Sequence, residues 1–299
     1  MTALAARPTA APPTRGLWYV CAPAVVAVLA AVAVAAIYQV FIGSGLGQSV
    51  DTSALRGADV DHPRVVDVLS RTLNATSLPS LVLVCVAVAA IGMVRRRMDL
   101  AVGAAVMVIG ANLTIQLLKA RLTRPDLDGF PAPNSFPSGH AGAAASVAFA
   151  LLLVLPAAIR GVVALIGATY ASVIAVATVW AEWHRPSDTV AALLIVLAWG
   201  GLVAAALRAK RLHEPGPARR PSRLTALVFL VVGTITAAAG LVGLVAVILS
   251  ERVTPDLVSA QFAFLTGAAC IIATVAATFL LWVRLAGDRP VDAAPDPAE

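Results

Sequence analysis

Eight stretches of this chain are long and apolar enough to cross a bilayer: residues 17–41, 78–94, 100–118, 141–159, 162–183, 189–207, 224–249 and 261–283. A hydrocarbon core asks for about 20 apolar residues per spanning helix. The expected fold class is therefore all-α, a multi-pass transmembrane helical bundle. Composition agrees: 60% of the 299 residues are apolar and 13% charged, with a mean hydropathy of +0.88, whereas soluble domains average about 45–50% and about 25%. Disorder, a fibrous repeat and a disulfide scaffold are excluded. Cys21, Cys85 and Cys270 all lie inside apolar runs, where neither a structural disulfide nor a Cys-based zinc site fits. The first run is too long for a signal-peptide core and is read as a retained helix.

A formal charge of +6 suggests nucleic acid until the basic residues are placed. They flank the apolar runs, so no nucleic-acid partner is expected. With a cytoplasmic N-terminus, alternate connections put 14 of the 22 Lys and Arg on the inner side, including the cluster Arg95, Arg96 and Arg97. That asymmetry follows the positive-inside rule. It predicts a protein of the cell membrane with both termini cytoplasmic.

The expected organisation is a cytoplasmic tail over 1–16, a six-helix core over 17–208, a basic linker containing Pro and Gly over 209–223, two additional C-terminal transmembrane helices over 224–285, and a second tail over 286–299. Residues 42–77 form a long first outer loop. Within it Val65, Val66, Val68, Leu69 and Leu73 recur at roughly helical spacing, which suits a lid, an interfacial helix or a solvated loop.

The informative polar residues gather at the outer ends of the third to sixth runs. Lys119, Arg121 and Arg124 close the third run before Pro125; Ser138, Gly139 and His140 open the fourth; His184 and Asp188 flank Pro186 at the start of the sixth. Ser138 suits an N-cap and Gly139 allows close approach, so this helix N-terminus would offer free N–H donors to an anion. His184 and Asp188 are four apart and share a helix face. The carboxylate can then fix the imidazole tautomer and leave the other ring nitrogen as a nucleophile. A His held by an Asp, a second His, several cations and a helix N-terminus meet the needs of phosphoryl transfer. The outer carboxylates Asp126, Asp128 and Glu182 lack ligand spacing with the histidines, so no metal is expected.

These three segments, in this order and at these helix ends, resemble the phosphatidic acid phosphatase type 2 superfamily, membrane relatives of vanadium haloperoxidases. The family pattern is K-x6-R-P, then P-S-G-H, then S-R-x5-H-x3-D. The resemblance covers roughly residues 17–208 and implies a six-helix phosphatase-like core. It implies that His184 attacks phosphorus, that Asp188 orients it and that His140 protonates the leaving group. Lys119, Arg124, Ser138 and Gly139 would hold the phosphate, with no cofactor.

Two positions depart from the pattern. Lys119 and Arg124 are two residues closer together than the first motif requires, and Thr178 stands where the third motif has its arginine. Arg185 and Arg121 are the candidate replacement cations. The string GQSVDTSALRGA in the first outer loop, with NSFPSGH and WHRPSD, is similar to a variant subgroup of the superfamily. The expected activity is metal-independent hydrolysis of a lipid phosphate or polyprenyl diphosphate at the outer face of the membrane, through a phosphohistidine. The partners are then the membrane lipid substrate and the bilayer. The rival readings are a lipid phosphotransferase and a non-catalytic lipid-phosphate binder or transporter.

Overall fold

The computed structural model describes residues 17–58, 71, 78–211, 222–254 and 257–287, and among these the regular structure is entirely helical. The helices are α1 (Trp18–Ile37), continued by a π-helical turn (Tyr38–Ile42), α2 (Gly45–Arg56), α3 (Leu78–Val94), α4 (Met98–Arg121), α5 (Gly139–Val154), α6 (Arg160–Trp180), α7 (Pro186–Lys210), α8 (Arg223–Arg252) and α9 (Ala260–Gly287). Among the described residues six spans are long and apolar enough to cross a membrane: α1 with its π turn, α4, α6, α7, α8 and α9. The chain is a multi-pass membrane protein.

The two remaining apolar helices, α3 and α5, have 17 and 16 residues. At 1.5 Å per residue they are about 26 and 24 Å long, a little short of a hydrocarbon core of about 30 Å. The fourth apolar run extends to Ile159, yet α5 stops at Val154. Leu155 is extended, with ψ 156°, because Pro156 follows it and disfavours the helical region for the residue before. The Arg95 guanidinium donates to the carbonyl of Val154, and Arg160 Nε donates to that of Leu155 at 3.2 Å, so two carbonyls at this helix end are satisfied.

Val65, Val66, Val68, Leu69 and Leu73, most of the linker 209–223, the first tail, and the second tail beyond residue 287 lie outside the described residues. The described part of the first connection holds an element that hydrophobic spacing does not announce. Ser44 caps α2, accepting from Gly47 N at 3.1 Å. The buried face of α2 is mixed: Val50, Ala54 and Leu55 with Gln48, Asp51 and Thr52. It packs against the π turn, α9, α8 and the start of α7.

At the centre of the bundle lies α5, whose run of Ala and Gly lets α4, α6 and α7 approach closely. Although a linker separates it in sequence, α9 seats in this same core. Trp282 is fully buried, stacks on Phe149 at 5.0 Å and donates Nε1–H to the Phe149 carbonyl at 3.1 Å. Phe279 meets the same ring edge-on at 5.0 Å. Arg208 at the end of α7 donates to the carbonyls of Tyr19 and Leu285, tying α1, α7 and α9 together.

Candidate active site

The turn from α6 to α7 presents His184. Glu182 takes a positive φ of 58°, and the buried carbonyl of Thr178 accepts from Trp183 N at 3.0 Å and His184 N at 3.1 Å. Pro186 then opens α7 in the first-turn position that suits its fixed φ and missing N–H. This places Asp188 in the first turn, with His184 Nδ1 3.4 Å from Asp188 Oδ2. Asp188 is fully buried. Its other partners are Arg124 Nη2 at 3.2 Å, Ser135 Oγ at 2.5 Å and Arg185 N at 3.0 Å. A buried carboxylate is tolerable only with such partners.

The N-terminus of α5 is tied to the same turn. Ser138 N donates to the Asp188 carbonyl at 2.9 Å, while Ser138 Oγ caps its own helix by accepting from Ala141 N at 3.4 Å. His140 therefore lies beside His184, ring centroids 6.4 Å apart, with its other side 5.4 Å from the Trp183 ring. Both histidines open onto a cavity of about 730 Å³ between α3, α4 and α5. One end is polar, formed by His184, His140, Gly139 and Lys119. The remainder runs along Val86, Ala89, Ile109 and Leu113. Asn112 lines it too, anchored by its own bond to Ser146 Oγ at 3.0 Å, with Gln116 nearer the polar end.

The remaining cations separate into distinct positions. Arg124 has a side chain 3% exposed; one terminal nitrogen holds Asp188, and its Nε and Nη1 are buried with no hydrogen-bond partner. Arg185 is also 3% exposed, but its Nε donates to Thr52 Oγ1 at 3.2 Å and its guanidinium lies 5.9 Å from the Phe130 ring centre. Burial and the neighbouring Arg124 draw its pKa below the usual arginine value. Arg121 is exposed in the last turn of α4 and does not line the cavity. Thr178 is fully buried, its hydroxyl donating to the Ala175 carbonyl at 2.8 Å, so this position supplies a backbone anchor for His184 and no cation. Of the expected residues, His184, His140, Gly139 and Lys119 thus line the cavity; Asp188, Ser138 and Arg124 are joined to that turn behind them, and Arg185 and Arg121 do not line the cavity.

Ser135 and the polar face of α2 escape a reading by motif. The signal for Ser135 was its place in a polar loop one turn from Ser138, with Asn134 pinning that loop by donating to the carbonyls of Lys119 and Leu122. Thr52 bridges two site segments, donating to Asp128 Oδ2 at 2.6 Å while accepting from Arg185.

Compared with known proteins, residues 100–212 match the PAP2 superfamily. That segment runs from α4 to just past the end of α7 and contains every residue gathered at the cavity's polar end. No curated protein and no solved structure gives a significant match to the chain.

Proposed function

We propose that this chain, whose residues 100–212 match the PAP2 superfamily, generally phosphatases acting on phosphate esters, is a metal-independent lipid phosphatase of the cell membrane. The observation that carries this reading is the cavity. Two histidines and a lysine close one end of a long apolar space walled by membrane helices. A phosphate or diphosphate group fits the polar end while an acyl or polyprenyl tail follows the apolar walls, so the headgroup need not leave its lipid. The distribution of Lys and Arg supports a site at the outer face with both termini cytoplasmic.

In the reaction, Asp188 holds Nδ1–H of His184, leaving Nε2 to attack phosphorus in line with the leaving oxygen. A P–N bond forms as the P–O bond breaks, and His140 gives its proton to the departing oxygen. His140, now neutral, takes a proton from water, whose oxygen attacks the phosphohistidine and releases phosphate with His184 restored. The N–H groups at the start of α5 and Lys119 supply positive charge where the equatorial oxygens lie, and Arg124, buried against Asp188, adds positive charge from behind.

The absence of a cation at Thr178 favours a second reading, a binder that no longer turns over. Phosphate release from a panel of lipid phosphates and diphosphates, in detergent with chelator present, separates the two. The phosphatase reading expects release by the wild type that is lost in His184→Ala. Binding without release in both proteins would establish the binder, and transfer of phosphate to an added alcohol in preference to water would establish a phosphotransferase.

A further inference from the structure

The helix α2 carries the GQSVDTSALRGA string, which the mechanism above does not use. Three of its polar residues, Gln48, Asp51 and Thr52, fall at i, i+3 and i+4 on one face, and each is only 2% exposed. A helix that merely filled space would bury aliphatic side chains there. Instead every one of the three bonds to backbone or side chains next to a site residue. Gln48 Nε2 donates to the Pro125 carbonyl at 2.8 Å and its Oε1 accepts from Leu127 N at 3.1 Å, immediately after Arg124. Thr52 holds Arg185 and Asp128. Asp51 accepts from Ser187 N at 3.1 Å and from the Ser187 hydroxyl, between His184 and Asp188.

The need for these bonds follows from the way α7 begins. Its N-cap position is Arg185, which provides no side-chain acceptor for the free N–H groups of the first turn. Asp188, at the third helical position, is the acidic residue nearest those donors, and a carboxylate there is drawn back over its own helix end. It already accepts from Arg185 N. Asp51 reaches in from another helix and takes the Ser187 N–H, a cap supplied in trans. Thr52 at the same time accepts from Arg185 Nε at 3.2 Å, engaging that side chain from the α2 side.

We propose that Asp51 and Thr52 are positioning residues, which cap α7 from α2 and hold Arg185 aside so that Asp188 stays turned toward His184. This rests on the phosphatase reading for its effect on turnover. The geometry has a readout of its own, because a carboxylate that holds Nδ1–H of an imidazole makes the opposite ring nitrogen a better nucleophile. With the purified full-length chain in detergent, kcat and KM for lipid phosphates are measured alongside the rate at which His184 reacts with diethyl pyrocarbonate at one fixed pH, read by peptide mass spectrometry.

Asp51→Ala is expected to lower kcat about 10- to 100-fold, the scale of an ångström of misplacement, with KM changed less than about twofold. The reaction of His184 with the reagent should slow as well. Asp51→Asn, which keeps an acceptor oxygen for Ser187, should recover most of both. Thr52→Val, nearly isosteric, should lower kcat and the reagent rate together and serves in place of Asp51→Ala if that variant does not fold. Folded variants with wild-type kcat and wild-type reagent rate would overturn the proposal and leave α2 as a cover only. If the wild type releases no phosphate, the phosphatase reading fails; the reagent rate alone then decides, a slower reaction supporting the positioning role and an unchanged rate rejecting it.

Discussion

At Asp188 a single carboxylate carries four contacts, and its energetics follow from burial. Arg124, Ser135, the Arg185 amide and His184 converge on two oxygens that water does not reach. Asp188→Asn keeps the volume but places an amide N–H₂ among donors. We expect kcat to fall on the order of 10³- to 10⁴-fold, the scale seen when a histidine loses its orienting aspartate, with folding retained; steady-state kinetics beside a thermal melt check both. Asp51 behaves differently, because burial and the negative Asp188 nearby push its pKa up to about 7 from 3.8. Its folded form therefore keeps a proton that the unfolded form has lost, so stability falls as pH rises between those two values and levels off above the upper one. Asp51→Asn is neutral throughout and removes that slope. Its melting temperature relative to wild type should be more favourable at pH 8 than at pH 5.

At the scale of elements, the helix ends that meet at the polar end of the cavity were legible and α2 was not. Histidines at the mouths of apolar runs have no packing reason to be there, so His140 and His184 stood out from the sequence. Gln48, Asp51 and Thr52 lie in a connection where polar residues are ordinary, and only tertiary contact shows that they are buried. Spacing likewise cannot say where a guanidinium points. Arg185 adjoins His184 in sequence, yet an extended N-cap residue directs its side chain to α2. The close seating of α2 yields a prediction of its own. A Cβ on Gly57 would meet the Ala260 carbonyl oxygen at 1.8 Å, and one on Gly47 would meet that of Val40 at 1.9 Å. Neither backbone can yield cheaply, so Gly57→Ala should cost about 1–3 kcal/mol, seen as a lower melting temperature in detergent, and reduce turnover with it.

For the whole molecule, hydropathy told the number and order of the apolar helices but not which of them share a core. The basic linker sets α8 and α9 apart in sequence, while Trp282 and Phe279 of α9 pack on Phe149 of the central helix. That contact could not be read in advance, since an apolar residue facing lipid and one facing protein look alike in sequence. Trp282→Ala removes a fully buried indole and its hydrogen bond, and we expect a loss of about 3–5 kcal/mol. A chain ending after residue 222 should not yield a stable core, which size-exclusion chromatography and thermal unfolding would show.

The contact between α2 and α9 also bears on when in its life the protein becomes competent. Gly57 and Ala54 near the chain's beginning rest against Ala260 and Gly267 near its end. A ribosome-bound chain that has already threaded both histidines into the membrane still lacks a large part of the surface against which α2 docks. The turn that carries His184 is thus fully buttressed only once α9 inserts, and on the proposed function a chain stopped before α9 is expected to be inactive.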